Sequence, residues 1–513
     1  MGEWVGYHPD RLAGLARRTG EAIAHLDATT LADPVAADAV RTIRTVAFSL
    51  GTTWLPVLAR VGTDTTLWAW GPRGPGRGGW TAHQTIGVAS APEPPVDGGA
   101  DAVAAWWRTL SEEQRTELIE QRPLLVGNTD GIPATARDQA NRIQLAVDLD
   151  ALEAAEAAGT LSDHDGQILT NIRRAQAALG GNDAYVDPLT GDPVGGQLYL
   201  YDPTAFGGDG RIAIAVGNVD TAAHVAVAVT GLGSDASRIS AEQSQAIYAE
   251  SRHASGDPVA VLAWMGYDAP SFSTSTLSVA EVYGEVSDVA GVLNQDDARD
   301  GAVLLAADVA GLNAMRGGIG AHVTVIGNSY GSTTVAIAAD EHDLEADDLV
   351  LTGSPGAGAA DTAADLTTGT EHTWVASASS DVVTYLGATP GWVPQDLVAD
   401  LVPGVQQLGD DPADASFGAQ RIQAEHVDRQ GGGAPGNVAD HGRYYDEDSE
   451  CLANIGAIVG GEYDLVTAAA PRPSGPSIEF DLDLVDLSPY VGTNLFPDDP
   501  EADRQPALAT HEP

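Results

Sequence analysis

Residues 322–326, His-Val-Thr-Val-Ile, run straight into Gly327-Asn328-Ser329-Tyr330-Gly331, and an alanine- and valine-rich stretch, Ser332–Asp340, follows at once. A chain that passes from strand to helix in so few residues has almost no space at the turn. The positions two before and two after the serine must be small, because strand and helix nearly touch there, and glycine fills both. Such a turn forces the serine into a strained backbone conformation with its hydroxyl standing out of the top of a sheet. Ser329 is therefore the candidate nucleophile. In a chain with 59 glycines among 513 residues this pentapeptide also arises by chance. The strand before it and the helix after it give it meaning.

Composition removes several alternatives. There are 73 acidic against 25 basic residues, a formal charge of −48, which repels nucleic acid and anionic membrane surfaces. Every basic residue is arginine, so a Schiff-base lysine, a P-loop lysine and a Ser-Lys dyad are excluded. The single cysteine, Cys451, rules out an internal disulfide and any multi-cysteine metal site; it reads as a small buried residue. No cofactor and no metal are expected. No run approaches the length of a transmembrane helix, and Met1–His8 lacks the basic and apolar regions of a standard signal peptide. The expected setting is cytoplasmic, or exported without such a peptide, with no transmembrane anchor.

The hydrophobic period divides the chain. Residues 1–70 carry a helical pattern (Leu12, Leu15, Ile23, Leu26, Val40, Ile43, Val46) and read as a helical module. Residues 71–100 are a Gly/Pro-rich linker. A second helical region covers 101–190; Ser111-Glu-Glu-Gln114 has the form of a capping box, and helices are expected to resume at Arg137 and run to about Ala178. From 191 to 465 the pattern changes to strands. Leu198–Tyr201, Arg211–Val216, His224–Thr230, Val259–Trp264, Val323–Ile326, Leu349–Thr352 and Thr373–Ala376 are separated, in the later part, by helical stretches. That alternation predicts an α/β domain with a mostly parallel sheet. Residues 466–513 are an acidic, Pro-rich tail expected to be partly disordered.

A nucleophilic serine needs a base, and the base an orienting acid. In an α/β-hydrolase fold the order along the chain is Ser, then Asp or Glu, then His. Five histidines follow Ser329. His342 lies on the helix leaving the elbow, His372 opens a strand at its far end, and His511 is in the tail. His441, in a loop just before a helix at Ser449–Val459, is the favoured base; His426 is the alternative. Asp381, in the loop after the strand Thr373–Ala376, is the favoured acid, with a helix N-cap as its plainer role; Asp361 and Asp365 are weaker candidates. Oxyanion donors are expected from the backbone of Tyr330 and of Leu232 and Gly233, in the loop after His224–Thr230. Tyr267 and Asp268, after the strand Val259–Trp264, are possible pocket residues. The 59 residues between Asp381 and His441 exceed what a triad loop requires. Residues 386–430 are expected to form a cap over Ser329, with Trp392 on its underside.

Val225–Ser234, Val261–Pro270, Gly327–Ser332, Gly353–Gly356 and His441–Val459 resemble the actinobacterial α/β-hydrolase family long catalogued as a domain of unknown function. Trp107–Ser111, Gly127–Pro133 and Arg137–Arg142 resemble the helical region preceding the hydrolase there. The family commonly has His before the serine, where this chain has Asn328. The resemblance implies the α/β-hydrolase fold, preceded by an N-terminal helical region, and a Ser-Asp-His hydrolase. It implies no particular substrate. Members can carry an N-terminal helical module similar to those exported by type VII secretion, which residues 1–70 permit. The expected activity is hydrolysis of a small-molecule ester or lipid-like substrate through an acyl-enzyme, with amide cleavage second. The alternative is a binding or secretion-associated protein using the fold without turnover.

Overall fold

The computed structural model describes residues 92–95, 98–232, 234–270, 295–317, 320–385, 408–428, 440–473 and 499–507. The helical module 1–70, most of the linker 71–100, Gly233 and Trp392 lie outside the described residues.

Eight strands form one sheet in the order β1-β2-β4-β3-β5-β6-β7-β8. They are β1 Gly196–Asp202, β2 Arg211–Val216, β3 His224–Val229, β4 Val259–Met265, β5 His322–Asn328, β6 Asp348–Thr352, β7 Thr373–Ala376 and β8 Gln420–Ile422. Only β2 runs against the others. The reason is visible in β3, Val225-Ala-Val-Ala-Val229. A parallel strand is covered on both faces and reads as a continuous apolar run. Its valines enter a core beneath the helices α7 Asp296–Met315 and α8 Tyr330–Glu341, through Leu305, Val309 and Val335. Its alanines enter a second core with Ile247 and Tyr248 of α6 Glu242–Ser255 and Ile455 and Ile458 of α9 Glu450–Val459. Each such aliphatic side chain, fully buried, contributes roughly 1.5–3 kcal/mol relative to exposure.

Among the described residues, five helices precede the sheet: α1 Gly99–Thr109, α2 Glu112–Gln121, α3 Pro123–Gly127, α4 Ala134–Ala157 and α5 Asp163–Asp183. The expected box is present on α2, with Ser111 and Gln114 capping each other. The helical stretch expected from Arg137 to about Ala178 consists of α4 and α5. Gly159 takes φ +68°, a left-handed conformation that ends α4, and the Ser162 side chain accepts the Asp165 N–H to start α5. Buried Asn141 on α4 donates to Gly127 O at 3.0 Å and Leu198 O at 2.9 Å, tying α3, α4 and β1 together. Arg137 stacks on Tyr199 with its guanidinium 3.9 Å from the ring centroid.

The eighth strand was not expected, and it places part of the segment 386–430, read from the sequence as a cap, in the sheet. Residues 420–422 pair with β7, and Leu408 and Phe417 pack in the core beside Leu351 and Val375. Three residues, Gln-Arg-Ile, are too short for their period to be read. Residues 408–428 are thus sheet edge and core, while 386–407 lie outside the described residues. Two stretches of the C-terminal region, 466–473 and 499–507, pack on the domain, with Arg472 fully buried.

Asn141→Leu removes both of its donors from buried carbonyls, and the expected loss is about 2 kcal/mol of stability. A urea titration checks this; an unchanged midpoint contradicts the role given to Asn141 in docking α4.

Candidate active site

The strand order doubles back at β3, which has β4 on one side and β5 on the other. Connections leaving such a point diverge and open a crevice beyond the carboxyl ends of the strands. The loop after β3 and the β5–α8 turn meet there. Ser329 adopts φ 54°, ψ −130°, a conformation costing a non-glycine residue about 1–3 kcal/mol. Its neighbours impose it. A Cβ on Gly327 would lie 2.5 Å from Ser332 Cα, and one on Gly331 would lie 2.6 Å from Thr230 O. On the facing loop, a Cβ on Gly231 would lie 2.8 Å from Ser329 Cβ and 3.1 Å from Tyr330 N. Leu232 follows directly and is half-buried against the core.

Ser329 N–H donates to Thr352 O at 2.9 Å, which fixes the serine against the end of β6. Asn328 Nδ2 donates to Thr352 Oγ1 at 3.2 Å, so the residue standing where the family commonly has His ties the elbow to β6. The residue just past β6, Gly353, has φ 57°, and a Cβ there would lie 3.0 Å from His441 Cε1 and Nδ1 and 2.8 Å from Tyr444 Cε2. The His441 ring therefore lies over the residue next to the one holding the Ser329 amide.

His441 is in a short 3₁₀ turn, Asp440–Gly442, and Asp381 is in the loop after β7. The structure brings the two together, with His441 Nδ1 2.8 Å from Asp381 Oδ2. Asp381 also plays the plainer part foreseen for it: its Oδ1 accepts the Val383 N–H at 2.9 Å as a 3₁₀ turn begins. Burial disfavours charge on His441, but the attraction and hydrogen bond of Asp381 together outweigh it, and the imidazole pKa is raised. With Nδ1 on the carboxylate, Nε2 is the ring atom left for proton transfer.

Tyr444 was not singled out from the sequence. Its hydroxyl donates to Asp381 Oδ2 at 2.7 Å and accepts the Ala378 N–H at 3.1 Å, and its ring meets His441 edge-on. Its spacing from His441, three residues within one loop, was the available signal. His426 is elsewhere: its Nδ1 accepts the Asp428 N–H and its Nε2 faces Arg443. His372 and His322 reach Asp348 near the amino-terminal ends of the strands. Asp365 is taken up in a capping box with Thr362. The suggestion that Tyr267 and Asp268 line a pocket is corrected. Tyr267 is buried, stacked on Trp264, with its hydroxyl donating to Thr230 O at 2.9 Å. It supports the loop after β3 from beneath, while Asp268 is exposed. Cys451 is fully buried, which pushes its thiol pKa up. Among the described residues no His, Cys, Asp or Glu cluster has the form of a metal site, and no helix is long and apolar enough to cross a membrane.

Residues 205–390 match the sequence model of a family described as alpha/beta hydrolase. An uncharacterized protein of Mycobacterium tuberculosis is 35% identical over 415 residues, covering 76% of this chain and 60% of that protein. An uncharacterized protein of Mycobacterium bovis is 32% identical over 182 residues, 33% of this chain and 61% of that one. The chain thus spans about three-fifths of the length of these curated relatives. A solved structure described as a lipase in its open form aligns at 19% identity and a TM-score of 0.22, over 52% of this chain and 75% of that one. That likeness is too slight to bear on the chemistry.

The electrostatics make a prediction independent of any activity. His441 should titrate above the ordinary imidazole value of about 6.5. In Asp381→Asn burial is left unopposed and the pKa should fall below that value. Histidine NMR titration of both proteins checks it; the same pKa in each contradicts the assignment of Asp381 as the cause.

Proposed function

We propose that this chain, which belongs to the actinobacterial α/β-hydrolase family, is a serine hydrolase that cleaves carboxylic esters through an acyl-enzyme. The observation that carries the reading is the His441–Asp381 pair, 2.8 Å apart, whose imidazole lies against Gly353, one residue past the Thr352 carbonyl that accepts the N–H of Ser329 in its strained elbow.

In this mechanism Ser329 Oγ attacks the ester carbonyl carbon while His441 Nε2 takes its proton. Nδ1–H stays hydrogen-bonded to Asp381, whose negative charge stabilises the imidazolium that forms. The carbonyl oxygen becomes an oxyanion held by the backbone N–H of Tyr330, at the first position of α8, and by one from the loop at Leu232–Gly233. Gly231 supports that arrangement, since its missing side chain is what lets the loop lie against the elbow. The tetrahedral intermediate collapses, the C–O bond to the alcohol breaks, and the imidazolium protonates the leaving oxygen. Water then attacks the acyl-enzyme with His441 again as base, returning the acid and free Ser329. Tyr444 shares Asp381 Oδ2 with His441 and so helps fix the carboxylate. The substrate is a small-molecule or lipid-like ester, since a chain of charge −48 disfavours polyanionic partners.

Ser329→Ala should lower kcat toward short activated esters by on the order of 10⁴ while leaving the fold intact, and His441→Ala should cost about as much, because the members act as a unit. His426→Ala should cost little. Steady-state kinetics on the three variants decide the matter: wild-type turnover in Ser329→Ala rejects the nucleophile, and an inactive His426→Ala beside an active His441→Ala rejects the base. Activity should also fall as pH drops through the raised pKa of His441, where the protonated ring no longer accepts a proton. A rate independent of pH through that range contradicts general-base catalysis by this residue.

A further inference from the structure

The loop that presents Asp381 is gripped at both ends by an arginine from the C-terminal region. Arg472 is fully buried, and its guanidinium makes five hydrogen bonds to groups among the described residues. Nη1 donates to Thr384 O at 3.1 Å and to Asp411 Oδ2 at 2.8 Å. Nη2 donates to Thr384 Oγ1 at 3.0 Å and to Ser377 Oγ at 2.5 Å. Nε donates to Asp499 Oδ2 at 3.2 Å. Ser377 and Thr384 flank Asp381, and the Thr384 hydroxyl passes the restraint inward by donating to Asp381 O at 2.9 Å. A second buried arginine, Arg421, reinforces the same end of the loop, donating to Ser377 O at 2.9 Å and Asp499 Oδ2 at 2.6 Å.

Burying two guanidinium groups is costly unless their charges are matched and their donors filled. Two carboxylates, Asp411 and Asp499, match them, and both are almost wholly buried. Burial opposes the charge on Asp499, but Arg421 and Arg472 outweigh it and hold its pKa below the ordinary range. The cluster is more than a generic anchor, because a planar guanidinium with its donors fixed in a fork holds partners in set directions. Three of these contacts go to the residues bracketing Asp381. Arg472 and Asp499 both lie beyond the segment 205–390 that matches the family, so the acid loop takes its shape from chain outside that segment.

We propose that Arg472 is a positioning residue: neutralised by Asp411 and Asp499, its guanidinium fixes both ends of the loop Ser377–Thr384 and thereby holds Asp381 against His441. The catalytic part of this inference rests on the serine-hydrolase reading. The experiment compares wild type, Arg472→Met, Thr384→Val and Arg504→Gln. Thr384→Val removes only the hydroxyl relay, so it keeps the test open if Arg472→Met does not fold. Arg504 bonds Glu450 and Glu501, not the acid loop, and reports what a merely structural loss in this region does. The readouts are the downfield Nδ1 proton signal of His441, kcat and KM per folded molecule, and the acid limb of the pH profile. Arg472→Met should lose the signal, lower kcat on the order of 10²-fold with KM little changed, and move the acid limb to lower pH. Thr384→Val should lower kcat by up to about tenfold, the worth of one hydrogen bond, and Arg504→Gln should change melting temperature alone. Wild-type signal and kcat in both Arg472→Met and Thr384→Val overturn the clamp. A wild type with the His441 signal but no turnover overturns the serine-hydrolase reading, and the catalytic role of Arg472 falls with it.

Discussion

The site depends on the approach of three backbones to one another around Ser329. The exit of β3, the end of β5 and the start of α8 come so close that Gly231, Gly327 and Gly331 each lack room for a Cβ. That crowding sets the serine in its strained φ and ψ. The cost, on the order of 1–3 kcal/mol, is met by the packing of α8 and β5, nearly all of whose residues are buried. The register of β5 on β6 then carries the placement outward. Asn328 pairs with Thr352, Gly353 follows, and the histidine and tyrosine of the last loop lie against it.

The acidity of the molecule is a poor guide to its interior. Exposed carboxylates are screened beyond about 10 Å at moderate salt, so the net charge does not set the state of His441. A single buried carboxylate in hydrogen-bond contact does. The arginines show the same locality. Arg137 over Tyr199, Arg211 on Asp308, and Arg421 and Arg472 between Asp411 and Asp499 each lie beside specific partners. In a chain without lysine, such buried cationic roles fall to the side chain best suited to filling many acceptors at once.

Much of this was legible in the sequence because it rests on local rules. Short apolar runs, five of them closed by a glycine, marked seven of the eight strands. The elbow was plain from its two glycines; Asp381 was read from the loop after the strand Thr373–Ala376 and His441 from a loop ahead of the last helix, two side chains that meet in the structure. What escaped depends on contacts distant in sequence. The strand β8 is three residues long and owes its existence to β7. Tyr267 looked like a pocket residue because it follows a strand, yet its hydroxyl found a carbonyl in the neighbouring loop. Arg472 stands in a Pro-rich stretch whose composition suggested a loose tail. Only its partners, 61 and 88 residues away in Asp411 and Thr384, show what it does.

The central claim is that Ser329 is a nucleophile activated by His441 and oriented by Asp381. Its most direct test is the site of covalent capture by a fluorophosphonate, mapped by mass spectrometry of the digested adduct in wild type and in His441→Ala. The account predicts one phosphonyl group, on the peptide carrying Ser329, formed rapidly in wild type and far more slowly in the histidine variant. Capture at another serine, or equal rates in the two proteins, would contradict it.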